Sequence, residues 1–184
     1  YAISDGNGGT ATATVNVTVT PVNDAPTVDT PLANASGVDG TAESIPTAGA
    51  FSDLDGDTLS YSAIGLPLGL SIDPATGLIS GTVDRNASQV NGGTYSITVT
   101  ASDGNGGTAS STFTYTVTNP GPTAANDVAT TNEDTPTTIA VLSNDSDPDG
   151  DPLSVTAATS PDGVVTVNAN GTLTFTPAPN FNGS

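Results

Sequence analysis

Asp53, Asp55 and Asp57 fall within five residues, and Asp145, Asp147, Asp149 and Asp151 within seven. Like charges at that spacing repel strongly unless a cation sits among them. Alternate aspartates on a turn, interleaved with Gly and Pro, present converging oxygens of the kind Ca²⁺ takes in sets of six to eight. Three readings compete. One is a solvated acidic loop that keeps the surface soluble. Another is an EF-hand loop, since Asp145-x-Asp147-x-Asp149-Gly150 fits its first half, but Thr156 stands where a bidentate Glu is needed. The third is Ca²⁺ held between successive domains, and the rest of the sequence favours it.

Other chemistry is poorly served. The chain has no His, Cys or Lys, so no imidazole can activate a Ser, no Schiff base can form, and disulfides and Lys isopeptide cross-links are excluded. Paired carboxylates can hydrolyse glycosides, but runs this dense suit a metal better than two acids held apart across a sugar. No enzyme is expected. Glycan binding stays open as an alternative, although aromatic platforms are few: no Trp, four Tyr and four Phe, most on strand faces that read as buried. Six Asn-x-Ser/Thr sequons, among them Asn16, Asn86 and Asn170, are explained by a composition rich in Asn, Ser and Thr.

The net charge is −18, with 19 acidic residues against Arg85 alone. Nucleic acid and anionic membranes are poor partners for such a surface, whereas cations are favoured. Leu, Ile, Val and Phe make up roughly a fifth of the chain, near the border where highly charged sequences stop folding. Bound cations are the simplest offset to that self-repulsion. No apolar run approaches the length of a membrane-spanning helix, so no membrane insertion is expected. No charged-then-apolar leader follows Tyr1, so any secretion signal is expected outside this sequence.

The elements that must carry these aspartates are strands. Ala13, Val15, Val17 and Val19 alternate with polar residues, as do Tyr95, Ile97, Val99 and Ala101, and Phe113, Tyr115 and Val117. Further strands are expected at 58–64, 70–73, 78–83, 137–142, 153–157, 164–168 and 172–176, with Gly, Pro, Asn and Asp between them. Short strands so spaced imply an all-β chain of tandem antiparallel Greek-key β-sandwiches.

Two internal repeats set the unit. "SDGNGGTA" at 4–11 returns at 102–109, an offset of 98, and "SDLDGDTLS" at 52–60 returns as "SDPDGDPLS" at 146–154, an offset of 94. About 95 residues is one sandwich of a tandem array. The expected organisation is a closing hairpin at 1–20, a linker at 21–25, a complete sandwich at 26–118, a linker at 119–122, and a second sandwich at 123–184 that lacks its last two strands.

The middle unit resembles a cadherin-type repeat, a module found also in giant secreted bacterial adhesins. "DLDGD" resembles that family's Asp-x-Asp pair, and "LSIDPATGLISGTVDRNAS" resembles the stretch that ends in Leu-Asp-Arg-Glu, with Asn86 in place of the Glu. "TASDGNGG" resembles the Asp-Gly turn, and "PVNDAP" the Asn-Asp linker. The resemblance implies Ca²⁺ at the domain junctions, with Asn23, Asp24, Glu43, Asp53, Asp55, Asp84, Asn86 and Asp103 as ligand candidates; Asp5 repeats Asp103 in the first hairpin. The second linker, "TNPGPT", is free of acid, so the first junction is the better-supported site. The last unit resembles a related bacterial Ig-like repeat through "NEDTP", "VLSNDSDPDGDPLSV" and "GTLTFTPAPNFNGS", which makes Glu133, Asp145, Asp147, Asp149 and Asp151 candidates there.

The implied function is mechanical: a stalk segment of a long extracellular or cell-surface protein, rigidified by interdomain Ca²⁺ and partnered by neighbouring repeats. The hairpin at 1–20 raises a further expectation, because a lone hairpin is marginal in water. Either the sequence samples a longer array out of phase with its domains, or the hairpin of one copy completes the open unit of another in a head-to-tail filament.

Overall fold

The computed structural model describes residues 1–183; Ser184, the last residue of the expected second sandwich, lies outside the described residues. A short hairpin comes first, β1 (Ala2–Ser4) with β2 (Thr10–Thr12). The first unit follows with β3 (Thr27–Val28), β4 (Ala35–Val38), β5 (Ala42–Pro46), β6 (Phe51–Ser52), β7 (Ser60–Ile64), β8 (Leu70–Ile72), β9 (Leu78–Thr82), β10 (Thr94–Ser102) and β11 (Thr108–Thr118). The second unit contributes β12 (Thr137–Ile139), β13 (Gly163–Val167) and β14 (Leu173–Pro177).

In the first unit, one sheet runs β4-β11-β10-β7 and the other β5-β9-β8, with β3 and β6 paired beside them. Successive strands such as β4 and β5, or β9 and β10, belong to opposite sheets, which is the Greek-key crossing of an Ig-like sandwich. The pairs are antiparallel except β4 against β11, which is parallel.

Alternation decides which side chains enter the core. Ile97, Val99 and Ala101 of β10 and Phe113, Tyr115 and Val117 of β11 point inward, meeting Ile79 of the facing sheet together with Leu70, Phe51 and Val83. Each such side chain contributes about 1.5–3 kcal/mol by leaving water. On the outer face the intervening residues pair as hydroxyls, Thr98 with Thr112 and Thr100 with Ser110, both at 2.8 Å.

The second unit has one sheet, β12-β14-β13, among the described residues. It repeats the first unit's register: Ile45 pairs with Ile79, and 94 residues later Ile139 pairs with Leu173. Its apolar residues Ile139, Leu153, Val155, Leu173 and Phe175 are only half-buried.

The strands expected at 13–19 and 153–157 are not formed. A strand exists through its ladder, and neither segment has a neighbour to pair with in the described chain. Val15, Val17 and Val19 are accordingly 65%, 77% and 84% exposed. Strands β3, β4, β5 and β6 were not foreseen, because they are short and carry small or polar residues such as "ASGV" and "AESIP". No helix of the described residues is long and apolar enough to cross a membrane.

Candidate metal centres

Two loops with the same sequence pattern build two carboxylate clusters. In the loop after β6, Asp53 Oδ1 accepts the N–H groups of Asp55 (3.0 Å) and Asp57 (3.1 Å). In the second unit, Asp147 Oδ1 accepts those of Asp149 (3.1 Å) and Asp151 (3.2 Å). Gly56 and Gly150 turn both loops at φ of 78° and 82°, a conformation that costs a side-chain-bearing residue energy. The first aspartate thus folds the loop, and the later ones are turned toward it.

At the first cluster, carboxylate oxygens of Asp53, Asp57 and Asp103 lie within 4.8 Å of one another. Asp103, 6% exposed, is delivered by the turn between β10 and β11. Its Oδ1 accepts the N–H of Asn105 (2.7 Å) and of Gly107 (2.9 Å), while the Asn23 amide donates to its Oδ2 at 2.9 Å. The Asn23 hydrogen bond, then the backbone donors, hold the Asp103 carboxyl below its usual range against the cost of burial. The linker is tied in a second time, since Asp24 N–H donates to Asp55 Oδ2 at 2.6 Å. Close approach is what Gly107 permits: a Cβ there would strike Asp103 Oδ2 and fall 2.8 Å from the Ala25 Cα.

At the second cluster, oxygens of Asp147, Asp149 and Asp151 converge within the same 4.8 Å. The Asp149 carboxyl is pushed up by its close approach to the Asp147 carboxyl, by burial and by the charge of Asp151; the same approach pulls Asp147 down. This loop also meets the first unit. Arg85 Nη1 donates to Gly150 O at 3.3 Å, and a Cβ on Gly40 would sit 3.0 Å from the Asp149 Cβ.

Three carboxylate oxygens in these clusters are buried without a hydrogen-bond donor: Asp53 Oδ2 and both oxygens of Asp149. An unpartnered buried charge is among the most costly features a protein can carry. A cation would satisfy all three, and the donor set of carboxylates and an amide is hard oxygen, which fits Ca²⁺.

The remaining sequence candidates lie elsewhere. Glu43 belongs to neither cluster; it stands beside the Tyr115 hydroxyl, where burial, then its charge, raises the phenol above the ordinary range. Asp84 caps the Asn86 N–H at 2.9 Å, Asp145 accepts Ala125 N–H at 2.8 Å, and Asp5 folds its own exposed turn. Glu133 is exposed and lines a cavity of the second unit. Two groups at the first cluster were not foreseen from the sequence. Asp57 joins the first cluster as Asp151 joins the second, which the alignment of "DLDGD" with "DPDGD" makes legible. Asn105 donates to Asp57 Oδ2 at 2.8 Å, and nothing in its local sequence announces that reach.

Residues 25–118 match the family model described as "Putative Ig domain", and residues 119–184 match "Bacterial Ig domain". The chain belongs to the Ig-domain family. Among solved structures, this Ig-like chain is similar to Drosophila N-cadherin EC1-4, at 18% identity and a TM-score of 0.48, over 86% of this chain and 42% of that one. The human desmocollin-1 ectodomain is similar at 18% identity and 0.40, over 97% and 36%. An endo-fucoidan hydrolase of glycoside hydrolase family 107 is similar at 17% and 0.45, over 88% and 25%. The chain spans less than half the length of each of these structures. No curated protein matches it.

Proposed function

We propose that this Ig-like chain is a structural, adhesive module of an extracellular or cell-surface protein, stiffened by Ca²⁺ bound at its two aspartate loops. The observation that carries the proposal is the set of buried, donorless oxygens on Asp53 and Asp149. At the first loop Asp53, Asp57 and Asp103 would hold the ion, with Asn23, Asp24 and Asp55 joining linker to loop. At the second, Asp147, Asp149 and Asp151 would hold it where the loop touches Gly40 and Arg85 of the first unit.

The physical consequence is a joint whose stiffness depends on the ion. Without it, acidic bodies on short linkers repel; with it, linker and loop share one charge-neutralised cluster. Extracellular Ca²⁺ modules bind at about 10⁻⁴–10⁻³ M, which is matched to the calcium outside cells. Membership of a bacterial Ig-domain family supports an extracellular location, and catalysis has no part in the proposal. Isothermal titration with Ca²⁺ tests it: saturable binding is expected, and its loss in an Asp53→Asn/Asp149→Asn variant. Heat flow no greater than for Na⁺ would refute it. A glycan array run beside the titration separates this function from sugar binding.

A further inference from the structure

Five Asn-x-Ser/Thr sequons lie wholly within the described residues, at Asn16, Asn34, Asn86, Asn144 and Asn170; the sixth, at Asn182, runs into Ser184. Composition accounts for their number, and all five asparagines are exposed, so exposure does not choose among them. Hydrogen bonding does. The third residue of a sequon brings a hydroxyl, and of the five only Asn170 is bonded by its own: Thr172 Oγ1 donates to Asn170 Oδ1 at 2.8 Å. At Asn34 the oxygen is taken instead by the Thr114 N–H at 2.9 Å, and at Asn144 the nitrogen donates to Asn126 O at 3.2 Å.

Asn170 stands at the tip of the β13–β14 hairpin. Asn168 N–H donates to Thr172 O at 2.8 Å and Gly171 N–H to Asn168 O at 3.0 Å, with Gly171 at the left-handed φ of 80° that such a turn requires. The orientation of the Asn170 amide follows from its partners. The Thr172 backbone N–H, at 3.3 Å, can only donate, so the atom it meets is Oδ1, and Nδ2 is left without an acceptor among the described residues. The Asn168 amide donates to Thr172 Oγ1 and to Thr174 Oγ1, both at 2.9 Å, which leaves the Thr172 hydroxyl proton for Asn170. Asn168, Thr172 and Asn170 thus form one directed relay that ends on Oδ1. On the 94-residue offset, positions 170 and 172 fall on Thr76 and Leu78, so the first unit's equivalent hairpin has no such group.

We propose that Asn170 is an N-glycosylation acceptor, taking a sugar activated as its 1-diphosphate from a transferase. An amide nitrogen is a poor nucleophile because its lone pair is shared with the carbonyl. In the transfer Nδ2 attacks the sugar C1, and the C1–O bond to phosphate breaks, its electron pair leaving on the diphosphate. One Nδ2 proton passes to a base of the transferase. Negative charge builds on Oδ1 as that proton leaves, and the Thr172 N–H and O–H are already aimed there. The competing reaction of an Asn-Gly pair is deamidation, in which the next backbone nitrogen attacks the side-chain carbonyl carbon. Here the Gly171 N–H is committed to Asn168 O, which holds that nitrogen back. The site shares no residue with the aspartate loops, so failure of either proposal leaves the other standing.

The test gives the folded, unglycosylated chain to a soluble N-glycosyltransferase with UDP-glucose and maps the hexose by peptide mass spectrometry. Asn170 should fill first among the five sequons. A proteolytic digest given the same enzyme should lose that preference, because the hairpin no longer orders the relay. Asn168→Ala, which leaves the sequon intact, should slow transfer to Asn170 by roughly tenfold, about the worth of one net hydrogen bond. Thr172→Ser, which keeps the hydroxyl, should retain the site. Chain recovered from the cells that make it should carry a glycan at Asn170. A folded chain that takes no sugar, or takes it at another sequon before Asn170, overturns the proposal. So does an Asn168→Ala variant as fast as the wild type, or cell-derived chain with Asn170 bare or converted to Asp.

Discussion

Asp149 keeps both carboxylate oxygens out of solvent with no donor for either, while Asp147 spends one of its own on two loop N–H groups. The division of labour is the same at Asp53, whose Oδ1 folds the loop and whose Oδ2 is left free. Asp149→Asn should therefore weaken Ca²⁺ binding at the second loop at least tenfold by calorimetric titration. It should leave the calcium-free melting temperature unchanged or raised, because one of three converging charges is gone. An aspartate outside both clusters provides a contrast. Asp73 Oδ1 accepts the N–H groups of Ala75 (2.8 Å) and Thr76 (3.2 Å), which hold its carboxyl below the ordinary 3.8. Its contribution to stability is full above that ordinary value and is lost as pH falls through the lower folded one. An NMR titration should place its midpoint below 3.8 with or without Ca²⁺.

Among the elements, alternation of large apolar residues was enough to read β10 and β11 from the sequence, because both faces of each strand are chemically distinct. Ile97 is fully buried there, so Ile97→Ala should cost about 2–5 kcal/mol in denaturant unfolding. Val164 of β13 is 67% exposed, and Val164→Ala should change stability by less than about 0.5 kcal/mol. What the sequence concealed follows from the same physics. Strand β4 is held by register against the longer β11, and β5 by register against β9, so "ASGV" and "AESIP" give no signal of their own. Segments 13–19 and 153–157 give a strong signal and no strand, because alternation shows the capacity to pair and not the presence of a partner. The aspartate clusters lay between these cases. Their repetition was plain, yet the choice of Asp57 over Asp55 depends on which carboxylate the turn at Gly56 aims at Asp103.

For the molecule as a whole, a charge of −18 on 184 residues with one arginine is the governing fact. That arginine stands where the second unit meets the first. On the proposed function, divalent cations at the two aspartate loops would supply the remaining positive charge, so stability and stiffness should rise together. Solution scattering should show the maximum dimension narrowing to a single extended value in Ca²⁺ and broadening toward shorter values in EDTA. The most direct measurement is calorimetric unfolding in millimolar Ca²⁺ and again in EDTA at equal ionic strength. At Ca²⁺ tenfold above Kd, each site should add about 1.4 kcal/mol, a rise of a few degrees in Tm. Superimposable melting curves in the two buffers would contradict the assignment of these aspartate loops to calcium.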